Sequence, residues 1–138
     1  MSRLTRRVRA PDRDTGSVTV ELAIVFPVLL LIATALIQYA LWFHARSLAL
    51  AAAQQGVTVA RAYGSTPQAG RDSALTFIAD HGAETLLSAE ASTSSPAVGQ
   101  VEVLVTGRSL SVLPGMGGIA VSQSAAGPVE HFTMAGVP

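Results

Sequence analysis

The sequence predicts an α+β chain, mainly helical. A long N-terminal transmembrane helix continues into an amphipathic helix, followed by a second short helix and a small antiparallel β hairpin. Three observations predict it. Leu22 to Phe43 is an uncharged run of 22 residues, which as a helix spans about 33 Å, the thickness of a bilayer's hydrocarbon. From Ala45 to Tyr63 small or apolar residues recur in steps of four and three, the signature of a helix with one narrow seam. Val101 to Val105 is rich in β-branched residues and is followed by the turn-forming stretch Leu113-Pro114-Gly115-Met116-Gly117-Gly118.

Composition agrees. The 138 residues are 49% hydrophobic and 13% charged, with mean hydropathy +0.44, where soluble domains carry about 25% charge. Aromatics make up only 5%, so apolar packing relies on Ala, Val and Leu. Formal net charge is zero but unevenly spread. Arg3, Arg6, Arg7, Arg9 and Arg13 stand against Asp12 and Asp14 in the first 16 residues, while the remainder is net acidic. A basic arm just ahead of a membrane-length run reads as a cytoplasmic anchor rather than a nucleic-acid contact, because no basic face exists elsewhere. With no cysteine in the chain, disulfides and thiol chemistry are excluded.

The elements follow in order. Residues 1–16 are a basic leader, residues 17–43 the transmembrane helix, and residues 44–138 a small extracytoplasmic α+β domain with a flexible loop at 88–99. Within Leu22 to Phe43 only Thr34 and Gln38 are polar, and Tyr39, Trp42 and Phe43 gather at the far end, where aromatic rings favour the headgroup zone. Arg46 closes the apolar stretch. Arginines before and an aromatic belt after place the N-terminus in the cytoplasm and the C-terminal domain outside. Pro27 removes a backbone donor inside the span and predicts a kink there. The continuing helix carries a seam of Ala45, Ala49, Ala52, Gly56, Val59 and Tyr63. Two small-xxx-small steps in it, Ala45/Ala49 and Ala52/Gly56, permit close backbone approach. That seam serves the protein's own domain, neighbouring subunits, or both along different parts of the one helix.

Gly64-Ser65-Thr66-Pro67 ends this helix and starts the next, with Thr66 as N-cap and Pro67 at the first helical position. Leu75, Ile78, Gly82 and Leu86 then recur at helical spacing, with Gly82 a candidate C-cap. The Ser/Ala/Thr-rich stretch 88–99 reads as a loop, Val101 to Val105 as a first strand and Ile119 to about Ala125 as a second. Pro128 ends it, and Val129 to Phe132 forms a short edge piece. Two strands alone are marginal, so they must lean on a helix.

The chemistry sits at the junction Gly16-Ser17-Val18-Thr19-Val20-Glu21. A carboxylate at the mouth of an uncharged span is costly and calls for a partner or a function. A basic leader, Gly16, four residues, Glu21 and then the apolar run resemble the N-terminal segment of the TadE-like pseudopilins of Tad (Flp-type) pilus systems. The likeness extends over residues 16–63, through the proline-containing Ile24-Val25-Phe26-Pro27-Val28-Leu29 and the Ala-rich continuation to Ala60-Arg61-Ala62. Leu22 stands where the family commonly has an aromatic residue.

The resemblance implies cleavage between Gly16 and Ser17 by a membrane-embedded prepilin peptidase. It also implies a structural role as a minor pilin in pilus assembly, beside a major pilin, other pseudopilins and a membrane assembly platform protein. A glycine suits the cleavage site because its backbone approaches a protease without a side chain in the way. Cleavage gives Ser17 a free amine, and Glu21 of an adjacent subunit is its natural counter-charge, a pairing that fixes register.

Other readings compete. Ala33-Thr34-Ala35 resembles a signal-peptidase site, but the hydrophobic run continues past it. An uncleaved single-pass anchor carrying a small extracytoplasmic binding module needs no glycine at position 16. An enzyme finds little support: His44, His81 and His131 lie far apart without metal-ligand spacing, and no serine sits in a nucleophile elbow. Gly115 to Gly118 lacks the lysine of a phosphate loop. No cofactor is implied.

Overall fold

The computed structural model describes the backbone of residues 14–130 and the side chains of residues 18–130. The leader as far as Arg13 lies outside the described residues, as do His131 and the Phe132 end of the expected edge piece. The elements are α1 (Asp14–Ala60), α2 (Pro67–Gly82), β1 (Leu86–Ser94), β2 (Gln100–Ser109) and β3 (Ala120–Pro128). The chain divides into two compact units, Met1–Ala35 and Leu36–Pro138.

In the first unit the described chain is the beginning of α1, which continues through Pro27. Its apolar side chains are exposed all round, with Leu22 62%, Ile24 67% and Leu31 69% accessible. Such a helix is stable only in lipid or among other apolar helices. The hydroxyl of Thr34 donates to the Leu30 carbonyl at 2.8 Å, so this polar group is satisfied within the helix.

The second unit packs the remainder of α1 and α2 on one face of a three-stranded antiparallel sheet of order β1-β2-β3. Its core is built from Ala45, Ala49, Ala52, Ala53 and Val57 of α1, Ala74 and Ile78 of α2, and Leu86, Ala91, Val103, Val105 and Val121 of the sheet. Thr66 caps α2 as its spacing predicts, accepting from the Ala69 amide at 3.2 Å. Gly82 is the last residue of α2 and Ala83 its C-cap, a shift of one position from the expected glycine cap.

The sheet departs from the expected hairpin. Residues 88–94 belong to β1, paired with β2 from Leu86↔Ser109 to Ser94↔Glu102, and the connection shrinks to residues 95–99. Two features hide this strand in the sequence. Its residues are mostly Ser, Thr and Ala. Its register also shifts between Leu87 and Glu90, where Ser88 takes φ 50°. That bulge moves the inward positions from Leu86 to Ala89 and Ala91, which breaks the alternation a strand search needs. β2 is longer than expected, and β3 ends at Pro128 as expected. Beyond it the Val129 amide donates to the Gly99 carbonyl at 2.8 Å and the Glu130 amide to the Arg61 carbonyl at 2.9 Å. These two residues tie down the end of β3 without adding a strand.

Candidate functional site

The junction lies at the start of α1. The helix begins at Asp14, so the Gly16–Ser17 peptide bond lies within its first turn. Ser17 and Glu21 are four residues apart, one turn and about 6 Å along the axis. The Glu21 side chain is exposed beside Val18, Leu22 and Val25. Among the described residues no cation is paired with it.

The seam residues divide. Ala45, Ala49, Ala52 and Gly56 are buried in the protein's own domain. Val59 is half-buried, and Tyr63 lies beyond the helix end and is 71% exposed. Ala53, Val57 and Ala60 carry the buried face onward instead. A straight helix turns once in about 3.6 residues, so a seam drawn at period 3.5 drifts off the true contact face within a few turns. A Cβ placed on Gly56 would lie 2.8 Å from the Gly70 carbonyl oxygen and 3.1 Å from the Ala74 methyl. This stretch of α1 is therefore closed by α2, and a neighbouring helix must use another face.

Sequence reasoning left Gln38 without a role. Its Nε2 donates to the Leu110 carbonyl at 3.0 Å, and its Oε1 accepts from the Val112 amide at 3.1 Å. One side chain on α1 thus holds the loop between β2 and β3 by two hydrogen bonds. The available signal was a lone primary amide in an otherwise apolar run, a group that must find a donor and an acceptor. Next to it, Tyr39 stacks near Phe43 with ring centroids 6.4 Å apart and lies 5.9 Å from Trp42. The Arg46 guanidinium sits 5.8 Å from the Trp42 ring centroid, a cation–π distance. The aromatic belt is therefore one connected cluster capped by a cation.

Among the described residues, His44 and His81 do not come together in a site. His44 is exposed, and His81 stacks on Phe77 at 4.3 Å with Nδ1 2.9 Å from the Phe77 carbonyl. Gln55, Ser73, Thr76, Phe77, Asp80 and His81 line an open hollow without a nucleophile–base pair. Among the described residues no three His, Cys, Asp or Glu side chains are grouped to hold a metal ion. α1 holds one segment long and apolar enough to cross a membrane, Val18–Ala60.

Compared with known proteins, residues 16–58 match the family model of the TadE-like proteins. Neither the curated proteins nor the solved structures contain a match to the chain.

Proposed function

We propose, from the TadE-like segment at residues 16–58, that this chain is the precursor of a minor pilin or pseudopilin of a Tad (Flp-type) pilus. A prepilin peptidase hydrolyses the Gly16–Ser17 bond, leaving a carboxylate on Gly16 and an ammonium on Ser17. The released chain is held in the cytoplasmic membrane by α1, N-terminus inside and α+β domain outside, and acts structurally in assembly. Its partners are the peptidase, a major pilin, sister pseudopilins and a membrane platform protein.

The single observation that carries this reading is the coincidence of the family match with its residues: it starts at Gly16 and takes in Glu21. Two physical arguments support it. Helical backbone at the scissile bond must unwind to enter a protease, and a glycine in the first turn lowers that cost by about 1 kcal/mol relative to alanine. After cleavage, an ammonium at a helix N-terminus is opposed by the helix dipole, so a nearby carboxylate is needed. Glu21 supplies one, from the same chain or from its neighbour.

The test is N-terminal sequencing of the membrane-bound protein from cells with an active peptidase, beside a Gly16→Val variant. The proposal expects a mature chain starting at Ser17 and an uncut variant. Recovery of the intact leader in both would make the protein an uncleaved single-pass anchor carrying a small binding module. A start at Leu36 would make it a secreted protein.

A further inference from the structure

We infer that the loop between β2 and β3, residues 110–119, is a second membrane contact that lies in the outer headgroup region beside α1. The inference rests on reading Leu22 to Phe43 as a span. Four observations carry it.

The loop is apolar and exposed. Leu110 is 38%, Val112 43%, Met116 63% and Ile119 48% accessible, and no charged residue occurs between Ser109 and Val129. Exposed apolar groups concentrated in one segment mark a binding surface rather than chance.

Its position is fixed by Gln38, through the bonds to Leu110 and Val112. Gln38 lies four residues ahead of Trp42, about 6 Å along the helix on the membrane side of the aromatic cluster. Its neighbours on α1 are Leu36 and Ile37, 66% and 52% exposed. A loop tethered at that level shares whatever solvent the aromatic belt meets.

Internal hydrogen bonds tie the two ends of the loop and its turn, so its apolar side chains are presented by a defined backbone. The Ser109 amide donates to the Ile119 carbonyl at 2.9 Å, and the Ile119 amide donates to the Ser109 hydroxyl at 3.2 Å. Leu113 is bonded to the Ser111 hydroxyl and Met116 to the Leu113 carbonyl. Gly118 packs so closely on the Ser109 carbonyl that no side chain fits there.

The base of the loop carries Arg108, whose Nε donates to the Gly118 carbonyl at 3.0 Å. A cation behind an apolar tip suits a lipid surface, with phosphates at the rim and acyl chains beneath. It suits the apolar side of another protein less well.

The chain has no cysteine, so single-cysteine variants report one site each. Full-length Met116→Cys, Val112→Cys, Val98→Cys and Leu31→Cys proteins are labelled with an environment-sensitive fluorophore. Each is reconstituted in vesicles of phosphatidylethanolamine and phosphatidylglycerol, with or without brominated acyl chains. Val98 is fully exposed in the β1–β2 connection and serves as the aqueous reference. Labels at Met116 and Val112 are expected to be blue-shifted and quenched several-fold more than the label at Val98, with Leu31 quenched most.

Quenching at Leu31 with Met116 and Val112 behaving like Val98 would overturn the loop contact and leave the anchor intact. No quenching at Leu31 would remove the span and the inference together. Shielding at Met116 that appears only when other pilins or excess unlabelled chain are added would assign the loop to a protein partner, and would equally overturn it. The Val112 label guards against a local defect at Met116.

Discussion

Gly56 and Gly70 meet carbonyl to Cα where α1 crosses α2. A methyl on Gly56 would lie 2.8 Å from the Gly70 carbonyl oxygen, and one on Gly70 would lie 2.7 Å from the Gly56 carbonyl oxygen and 2.5 Å from the Ala60 methyl. Neither glycine is needed for its own backbone conformation, since both lie inside helices. Each is needed because the other helix is there.

Gly70→Ala is therefore expected to destabilise the domain despite the better helix former. Overpacking costs about 1–3 kcal/mol against a propensity gain of about 1 kcal/mol. Gly56→Ala should act in the same direction but more weakly, because its closest contacts, 2.8, 3.0 and 3.1 Å, are longer than the 2.5 and 2.7 Å met at Gly70. The double variant should cost less than the sum, since one helix displacement relieves both contacts. Chemical denaturation of the detergent-solubilised protein, followed by circular dichroism, measures all three. A Gly70→Ala protein as stable as the parent would mean the crossing is looser than described.

Gln38→Leu removes both hydrogen bonds that tether the β2–β3 loop and leaves the Leu110 carbonyl and Val112 amide unpartnered. Both bonds are exposed, so the expected cost is about 0.5–1.5 kcal/mol for each, felt locally. Amide exchange should accelerate between residues 110 and 116 while β1 and β2 stay protected. Acceleration across the whole sheet would show that Gln38 supports the core rather than the loop.

Thr66→Ala deletes the hydroxyl that accepts from the Ala69 amide. The expected loss is about 1 kcal/mol, and Thr66→Ser should restore most of it. A parallel comparison of the midpoints of unfolding decides this. Equal midpoints for alanine and serine would mean that the cap is dispensable beside Pro67.

Glu130→Gln should leave stability within about 0.5 kcal/mol of the parent. Its carboxylate stands 4.0 Å from Arg61, and the two side chains are 62% and 42% exposed, so water and salt screen the pair. The Glu130 amide bond to the Arg61 carbonyl survives the substitution. A large loss in low salt that vanishes in high salt would reveal a stronger ion pair than this geometry suggests.

Glu21→Gln tests assembly apart from processing. The variant is expected to be cut after Gly16 like the parent, yet to be recovered poorly with pilus proteins, because an amide cannot neutralise the new Ser17 ammonium. Undiminished recovery in sheared pilus fractions would remove the pairing role from Glu21.

What the sequence by itself determined is what depends on short stretches of chain. The uncharged run appears as the apolar beginning of α1, because hydropathy is a property of consecutive residues. Thr66-Pro67 starts α2 at the expected position, because a cap is made within one turn. Pro128 ends β3, because a missing donor stops a ladder wherever it falls. The tertiary structure decided what depends on contacts between distant parts. β1 exists because β2 offers it a ladder, which its Ser/Ala/Thr sequence and its bulge at Ser88 do not advertise. The face of α1 that is buried was settled by α2 and the sheet, which turned the contact away from Val59 and Tyr63 toward Ala53, Val57 and Ala60. Gln38 found its partners 72 and 74 residues away. No local pattern encodes a pair so far apart, because only folding brings the amide and the loop within hydrogen-bond reach.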